Sequence, residues 1–218
     1  MSSGNRQLDG DEAVRSTNDD ASTCKRFAVQ LGYWSDPYLP LMVKGAERKT
    51  PEINRGYFAR VAGITTLVHK FIKAMNGDCQ VVNFGAGFDT LFWKLQDAGL
   101  RVKKFVELDF PNVTSRKCHY IKNSPKLMQA LQTEDGDEVR YNSSDLHSDV
   151  YHLVSADLRK LAEVEAKLVE SSIEFGRPTL FLFECVLVYM PLQLSNVLLQ
   201  FIANKFTTTF CINYEQVH

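Results

Sequence analysis

From Gln80 to Tyr214, short apolar runs of strand length alternate with stretches of helical period, and this alternation limits the fold more than any other feature of the chain. The runs are Gln80 to Gly87, Lys103 to Phe110, Tyr151 to Leu158, Thr179 to Val186 and Thr208 to Tyr214. Between them lie a helix expected from Asp89 to Gln96, another opened by Pro111, a third marked by Leu161, Val164 and Leu168, and a strong stripe at Leu194, Val197, Leu198, Phe201 and Ile202. Strand and helix repeated in this way predict an α/β fold with a parallel sheet. Thr179 to Val186 is nearly all apolar, as a central parallel strand buried on both faces should be. Ligands of such sheets bind at the carboxyl ends of the strands.

The chain before Gln80 reads differently. Residues 1–22 carry Ser, Asn, Asp and Gly with almost no large apolar side chains, too little to offset the entropy of ordering, so a disordered tail is expected there. Residues 23–78 read as a helical N-terminal segment. Within it Thr50-Pro51-Glu52 is a helix start, with a capping hydroxyl, a proline suited to the first helical position and an acid that complements the dipole. Tyr57, Val61, Ile64, Val68 and Phe71 then keep one face apolar. Residues 79–218 form the α/β core, interrupted by a polar, irregular stretch over 123–150 that is longer than an ordinary connection.

Charge and cysteine usage narrow the function classes. With 25 basic and 26 acidic residues the net charge is -1, which argues against a nucleic-acid footprint. The basic pairs Lys103-Lys104 and Arg116-Lys117 are interleaved with acids and are expected on a solvated surface. The N-terminus lacks the basic start and apolar core of a signal peptide. The longest apolar stretch, Leu180 to Met190, contains Glu184 and is too short to span a bilayer. The five cysteines show no zinc spacing, so reduced thiols in a cytoplasmic protein without a metal site are expected. Nothing demands an oligomer, and a monomer is expected.

The strand ends carry the chemistry. The first run closes on Gly85-Ala86-Gly87, glycines that permit a tight turn and close approach of backbone to ligand, although the third glycine of the dinucleotide fingerprint is missing. The second closes on Glu107-Leu108-Asp109, and Asp109, 24 residues after Gly85, is placed to accept hydrogen bonds from ribose hydroxyls. A bland alternative makes it a cap for the helix at Pro111. The third run ends in Asp157-Leu158 and the fourth in Glu184, a carboxylate with no packing role. Acids at one edge of a sheet suit S-adenosylmethionine, which carries a sulfonium and an ammonium and has no phosphates; a phosphate ligand would favour lysine-rich loops and helix N-termini. Arg60 lies on the apolar stripe of its helix, where a cation is costly without a partner. It either pairs internally, snorkels to solvent, or binds an anion such as a cofactor or substrate carboxylate.

Several blocks resemble the leucine carboxyl methyltransferase family: Cys24 to Phe27 with Gly32 to Trp34, Asn54 to Arg60, Asn83 to Thr90, Phe105 to Pro111, Glu184 to Met190 and Ile212 to Gln216. The resemblance runs from about Ala21 to the last residue. It implies a class I methyltransferase fold, Rossmann-like, with a helical N-terminal segment and a lid over the cleft, the irregular stretch 123–150 falling at the lid-like insertion. It implies S-adenosyl-L-methionine as cofactor, bound by Lys25, Arg60, Gly85, Asp109, Asp157, Leu158 and Glu184. The Lys25 assignment rests on the resemblance alone. The implied reaction methylates the C-terminal leucine carboxylate of the protein phosphatase 2A catalytic subunit, with no general base and with orientation by Arg60 and Lys25. In the family the sheet continues for two strands past the position of His218, so the fifth strand is expected at an exposed apolar edge. Two alternatives stay open: a relative of the wybutosine-type tRNA carboxyl methyltransferases, or a non-catalytic form that acts as a binding module.

Overall fold

The computed structural model describes residues 3–131 and 138–215, with side chains from residue 17 onward. Three helices come first: α1 (Ser3–Gln30), α2 (Leu39–Met42) and α3 (Pro51–Ala74). The core follows as β1 (Gln80–Phe84), α4 (Leu91–Asp97), β2 (Lys104–Asp109), α5 (Pro111–Lys122), α6 (Pro125–Gln129), β3 (Arg140–Tyr141), β4 (Leu146–His147), β5 (Tyr151–Ser155), α7 (Leu161–Glu170), β6 (Thr179–Glu184), α8 (Leu192–Lys205) and β7 (Thr209–Tyr214). Among the described residues seven strands form one sheet in the order β3-β4-β5-β2-β1-β6-β7. The five expected strands are all present and pair in parallel, for instance Asn83 opposite Glu107 and Leu182.

Alternate residues of the strands feed two cores, as the twofold period of a strand requires. Val81, Phe105, Leu153, Leu180 and Ile212 pack with Ile64, Val68 and Phe71 of α3 and with Trp93 of α4. Val82, Phe84, Val106, Val154 and Phe181 face the other way onto Val164 and Leu168 of α7 and Leu198, Phe201 and Ile202 of α8. The chain builds outward from β1 through β2 to β5, then crosses to β6 and β7 on the other side. The reversal lies between β1 and β6, and the loops above it diverge to leave a crevice. β7 is an edge strand, with Phe210 43% exposed although its ring stacks on Phe71 at 5.9 Å.

Four expectations change. The tail expected over residues 1–22 is helical from Ser3 in α1. Residues 17–22 are held by polar contacts that an apolar-content argument does not weigh: Asn18 Oδ1 accepts from the Phe88 amide at 3.1 Å, and Asp19 pairs with Arg116 at 2.9 Å. The stretch 123–150 is partly structured. It contributes α6, whose Leu127 carbonyl accepts from Trp93 Nε1 at 3.1 Å, and an antiparallel ribbon of β3 and β4 that extends the sheet beside β5. Its residues 132–137 lie outside the described residues, as do residues 1 and 2 and residues 216–218. Lys117, expected in solvent, is fully buried. Thr50 takes the cap position of α3, but its hydroxyl makes no cap bond; the Thr50 carbonyl accepts from Asn54 at 3.1 Å.

Candidate functional site

A cleft of about 610 Å³ opens over the carboxyl ends of β1, β2, β5 and β6, and Lys25, Arg60, Gly85, Asp109, Asp157, Leu158 and Glu184 all line it. These seven residues come from α1, α3 and four strand ends spread over the chain. The parallel register brings the strand ends level, and α1 and α3 lean across the reversal point.

The turn after β1 explains its glycines. Gly85 and Gly87 have φ of +60° and +52°, in the left-handed region that favours glycine. A Cβ on Gly85 would stand 2.7 Å from Val186 Cγ2, and one on Gly87 would stand 2.3 Å from Asn18 Oδ1. The turn is thus closed over by the β6 loop on one side and by α1 on the other. The Gly85 amide donates to the Leu108 carbonyl at 2.8 Å, and the Gly87 amide donates to Asp109 Oδ2 at 2.7 Å. Asp109 Oδ1 also accepts from the Phe110 amide at 2.7 Å, so this acid steadies both the glycine turn and the start of α5. Burial pushes its carboxyl up, against those two amide bonds. Asp89 caps α4 from one position before the cap, accepting from the Thr90 and Leu91 amides at 2.7 and 3.1 Å.

Glu184 and the two cations form the other wall. Lys25 Nζ lies 2.7 Å from Glu184 Oε1, and Arg60 Nε donates to the same oxygen. Arg60 is 7% exposed, and its guanidinium carbon lies 5.4 Å from the ring centroids of both Tyr57 and Tyr214. The arginine therefore pairs internally at the end of its apolar stripe, with aromatic faces covering it. Burial works against the ionised Glu184, but Lys25 and Arg60 outweigh it and hold the carboxyl down at about 2. Two cations against one carboxylate leave a local surplus of positive charge on this wall of the cleft, which suits a further carboxylate. The chain turns sharply after Glu184, since Cys185 has φ of +55°, a strained value for a side-chain-bearing residue.

Asp157 is held by Arg159 through bonds of 2.8 and 2.9 Å; burial raises its carboxyl, but the arginine prevails and the net shift is downward. Leu158 supplies apolar surface beside it. Asn18, Tyr189 and Met190 line the cleft as well, though sequence reasoning assigned them no part in it. Asn18 had no signal, lying in the polar stretch read as a tail. Among the described residues none from the 123–150 stretch lines the cleft. The described ribbon of β3 and β4 pairs beside β5, and α1 contributes Asn18, Ala21, Ser22 and Lys25 to the cleft lining. Outside the cleft, Asp145, His147 and Glu170 could approach one metal ion, but Lys167 Nζ already pairs with the two carboxylates at 2.7 and 2.9 Å.

Comparison with known proteins gives this cleft a family. A sequence model described as leucine carboxyl methyltransferase matches residues 13–203. The chain belongs to the leucine carboxyl methyltransferase family. It is 48% identical over 210 residues to leucine carboxyl methyltransferase 1 of Rattus norvegicus, covering 95% of this chain and 63% of that protein. It is 41% identical over 213 residues to the Caenorhabditis elegans protein of the same name, covering 94% of this chain and 64% of that one. The tRNA wybutosine-synthesizing protein 4 of Homo sapiens is 33% identical over 215 residues, covering 94% of this chain and 31% of that protein. The chain thus spans less than two thirds of the length of these relatives. Among solved structures, a putative methyltransferase from Thermobifida fusca matches with a TM-score of 0.51 at 12% identity, over 79% of this chain and 62% of that one, which supports the methyltransferase α/β fold. Among the described residues no helix is long and apolar enough to cross a membrane.

Proposed function

We propose that the cleft binds S-adenosyl-L-methionine and that the protein methylates the C-terminal leucine carboxylate of a protein phosphatase 2A catalytic subunit. The observation that carries the cofactor reading is the convergence of Asp109, Asp157 and Glu184 on one cleft above a glycine turn that has no room for a Cβ. The residues fit the group. Acids at the strand ends suit a ribose and a cationic ligand, Gly85 and Gly87 add no side chains of their own to the turn, and the surplus charge at Lys25 and Arg60 suits a carboxylate. When bound, the cofactor supplies a methyl group activated by its sulfonium.

The chain's own residues then have limited tasks. A C-terminal carboxylate, with a reference pKa of roughly 3.3–3.7, is ionised at neutral pH, so no side chain need remove a proton. Arg60 and Lys25, held in place by Glu184, orient carboxylate charge in the cleft. α1, with Asn18 over the glycine turn, keeps water out, and alignment supplies most of the acceleration. The five free cysteines suit a reducing, cytoplasmic setting, in which the protein acts as a monomer on a protein substrate.

The test is calorimetric titration of the chain with S-adenosylmethionine, followed by methyl transfer to a phosphatase peptide ending in leucine. Saturable binding and a base-labile methyl ester on the peptide are expected. Binding without transfer would leave a cofactor-binding module. Transfer to a modified tRNA but not to the peptide would move the assignment to the wybutosine branch, for which the human relative stands as the supporting similarity.

A further inference from the structure

Beneath the glycine turn lies a polar cluster that the proposed chemistry does not use. Glu107 on β2, Lys117 on α5 and Tyr151 on β5 are all 0% exposed. Lys117 Nζ donates to Glu107 Oε2 and, at 2.7 Å, to the backbone carbonyl of Asp89. Tyr151 donates to the same Glu107 oxygen at 2.6 Å, while Glu107 Oε1 is buried without a partner. Lys117 also lies 5.8 Å from the Trp93 ring.

A buried ion pair of this kind contributes little to stability against well-packed apolar side chains of the same volume, and an incompletely bonded one contributes less. Its position offers another role. Asp89 stands two residues after Gly87, and its side chain is engaged with Asn83 Nδ2 at 2.9 Å and with the start of α4. The Lys117 bond fixes the remaining carbonyl, so the end of the glycine turn is tied to β2 and α5. Glu107 holds the ammonium where it can do this and sits two residues before Asp109, which receives the Gly87 amide from the cleft side.

We propose that Lys117 is a positioning residue: with Glu107 as its counter-charge, it holds the glycine turn in the shape that accepts the cofactor. This rests on the cofactor reading above. The test compares S-adenosylmethionine affinity in the wild-type chain, in Lys117→Met, and in an apolar replacement of the whole cluster, Glu107→Leu/Lys117→Met/Tyr151→Phe. The single variant strands a buried carboxylate and is expected to lose stability. The triple variant strands no charge and is expected to fold with a melting temperature near that of the wild type. Its affinity should nevertheless fall by about ten- to a hundredfold, the range for losing a bond from a charged donor, with amide exchange at Gly87 and Phe88 accelerated. A folded triple variant with unchanged affinity would overturn the proposal. So would a triple variant that cannot fold, since the cluster would then serve the fold itself. A wild-type chain that binds no cofactor would remove the underlying reading instead, and the two failures are told apart by the first titration.

Discussion

Replacing Glu184 by glutamine tests the cleft at its most charged point. The carboxylate is 12% exposed and stands against Lys25 at 2.7 Å and against Arg60, so Glu184→Gln leaves one buried and one half-buried cation facing a neutral amide. Breaking a buried pair costs about 3–5 kcal/mol. Linkage gives a separate figure. A carboxyl with an unfolded pKa of about 4.3 and a folded value of about 2 contributes about 3 kcal/mol at neutral pH. The agreement favours the lower end, and glutamine keeps one oxygen to accept from a cation. For a chain of this size about 3 kcal/mol lowers the melting temperature by about 6–12 °C. The sign with pH follows from the depressed folded value. The stabilisation is fully present above about pH 4.3 and is lost as pH falls toward 2. Thermal unfolding followed by circular dichroism from pH 7 to acid should therefore show a wild-type advantage that shrinks below about pH 4.3. Equal melting temperatures at pH 7, or a difference undiminished in acid, would refute the ion-triad reasoning.

Three further outcomes are expected. Gly87→Ala forces a Cβ against Asn18 at a φ of +52°, so it should lower the melting temperature and accelerate proteolysis of α1, read by limited digestion. Asp109→Ala frees the Gly87 and Phe110 amides in the cleft wall and should weaken S-adenosylmethionine binding by about tenfold or more in calorimetry. His152 is 4% exposed, and burial followed by the neighbouring His147 depresses its pKa to about 3. Its neutral form therefore stabilises the fold above the unfolded value of about 6.5, and between pH 8 and pH 5 the wild type should lose about 2 kcal/mol that His152→Gln retains, measured by urea unfolding at the two pH values.

Much of the fold was legible because the decisive signals are local. Alternating apolar runs and helical stripes placed the five parallel strands, and a Thr-Pro-Glu start placed α3 at Pro51. Six of the ten strand boundaries moved inward by one to three residues, as at β1, which ends at Phe84 and leaves both glycines in the turn. Two regions were misread for different reasons: in the first, composition counts apolar surface and overlooks specific polar docking. Asn18 and Asp19 anchor the end of a segment with almost no large apolar residues, through bonds to partners 70 and 97 positions away. The ribbon at Arg140–Tyr141 and Leu146–His147 is two residues per strand, too short for a periodic pattern, and exists because β5 offers an edge to pair with.

The candidate site divides along the same line. Glycines and acids at strand ends are readable because each residue type implies its task where it stands: a left-handed turn needs glycine, and a carboxylate on an apolar strand needs a partner. Arg60 was readable as costly, and the structure supplies the compensation in Glu184 and two aromatic rings. Lys117 was not, because beside Arg116 in the sequence it is one of two adjacent bases on a helix with many polar neighbours. A helix turns about 100° per residue, so adjacent bases occupy different faces. Arg116 turns outward to Asp19 while Lys117 turns inward to Glu107. Glu107, in turn, reads as one more acid near a strand end until its distance from Asp109 is considered. Residues two apart on a strand share a face, but only the later one reaches the rim, so Asp109 meets the cleft and Glu107 stays beneath it with Lys117. The charge that shapes the turn is therefore hidden one layer below the charge that lines it, and only the parallel register of β2 against β1 reveals that the two belong to the same device.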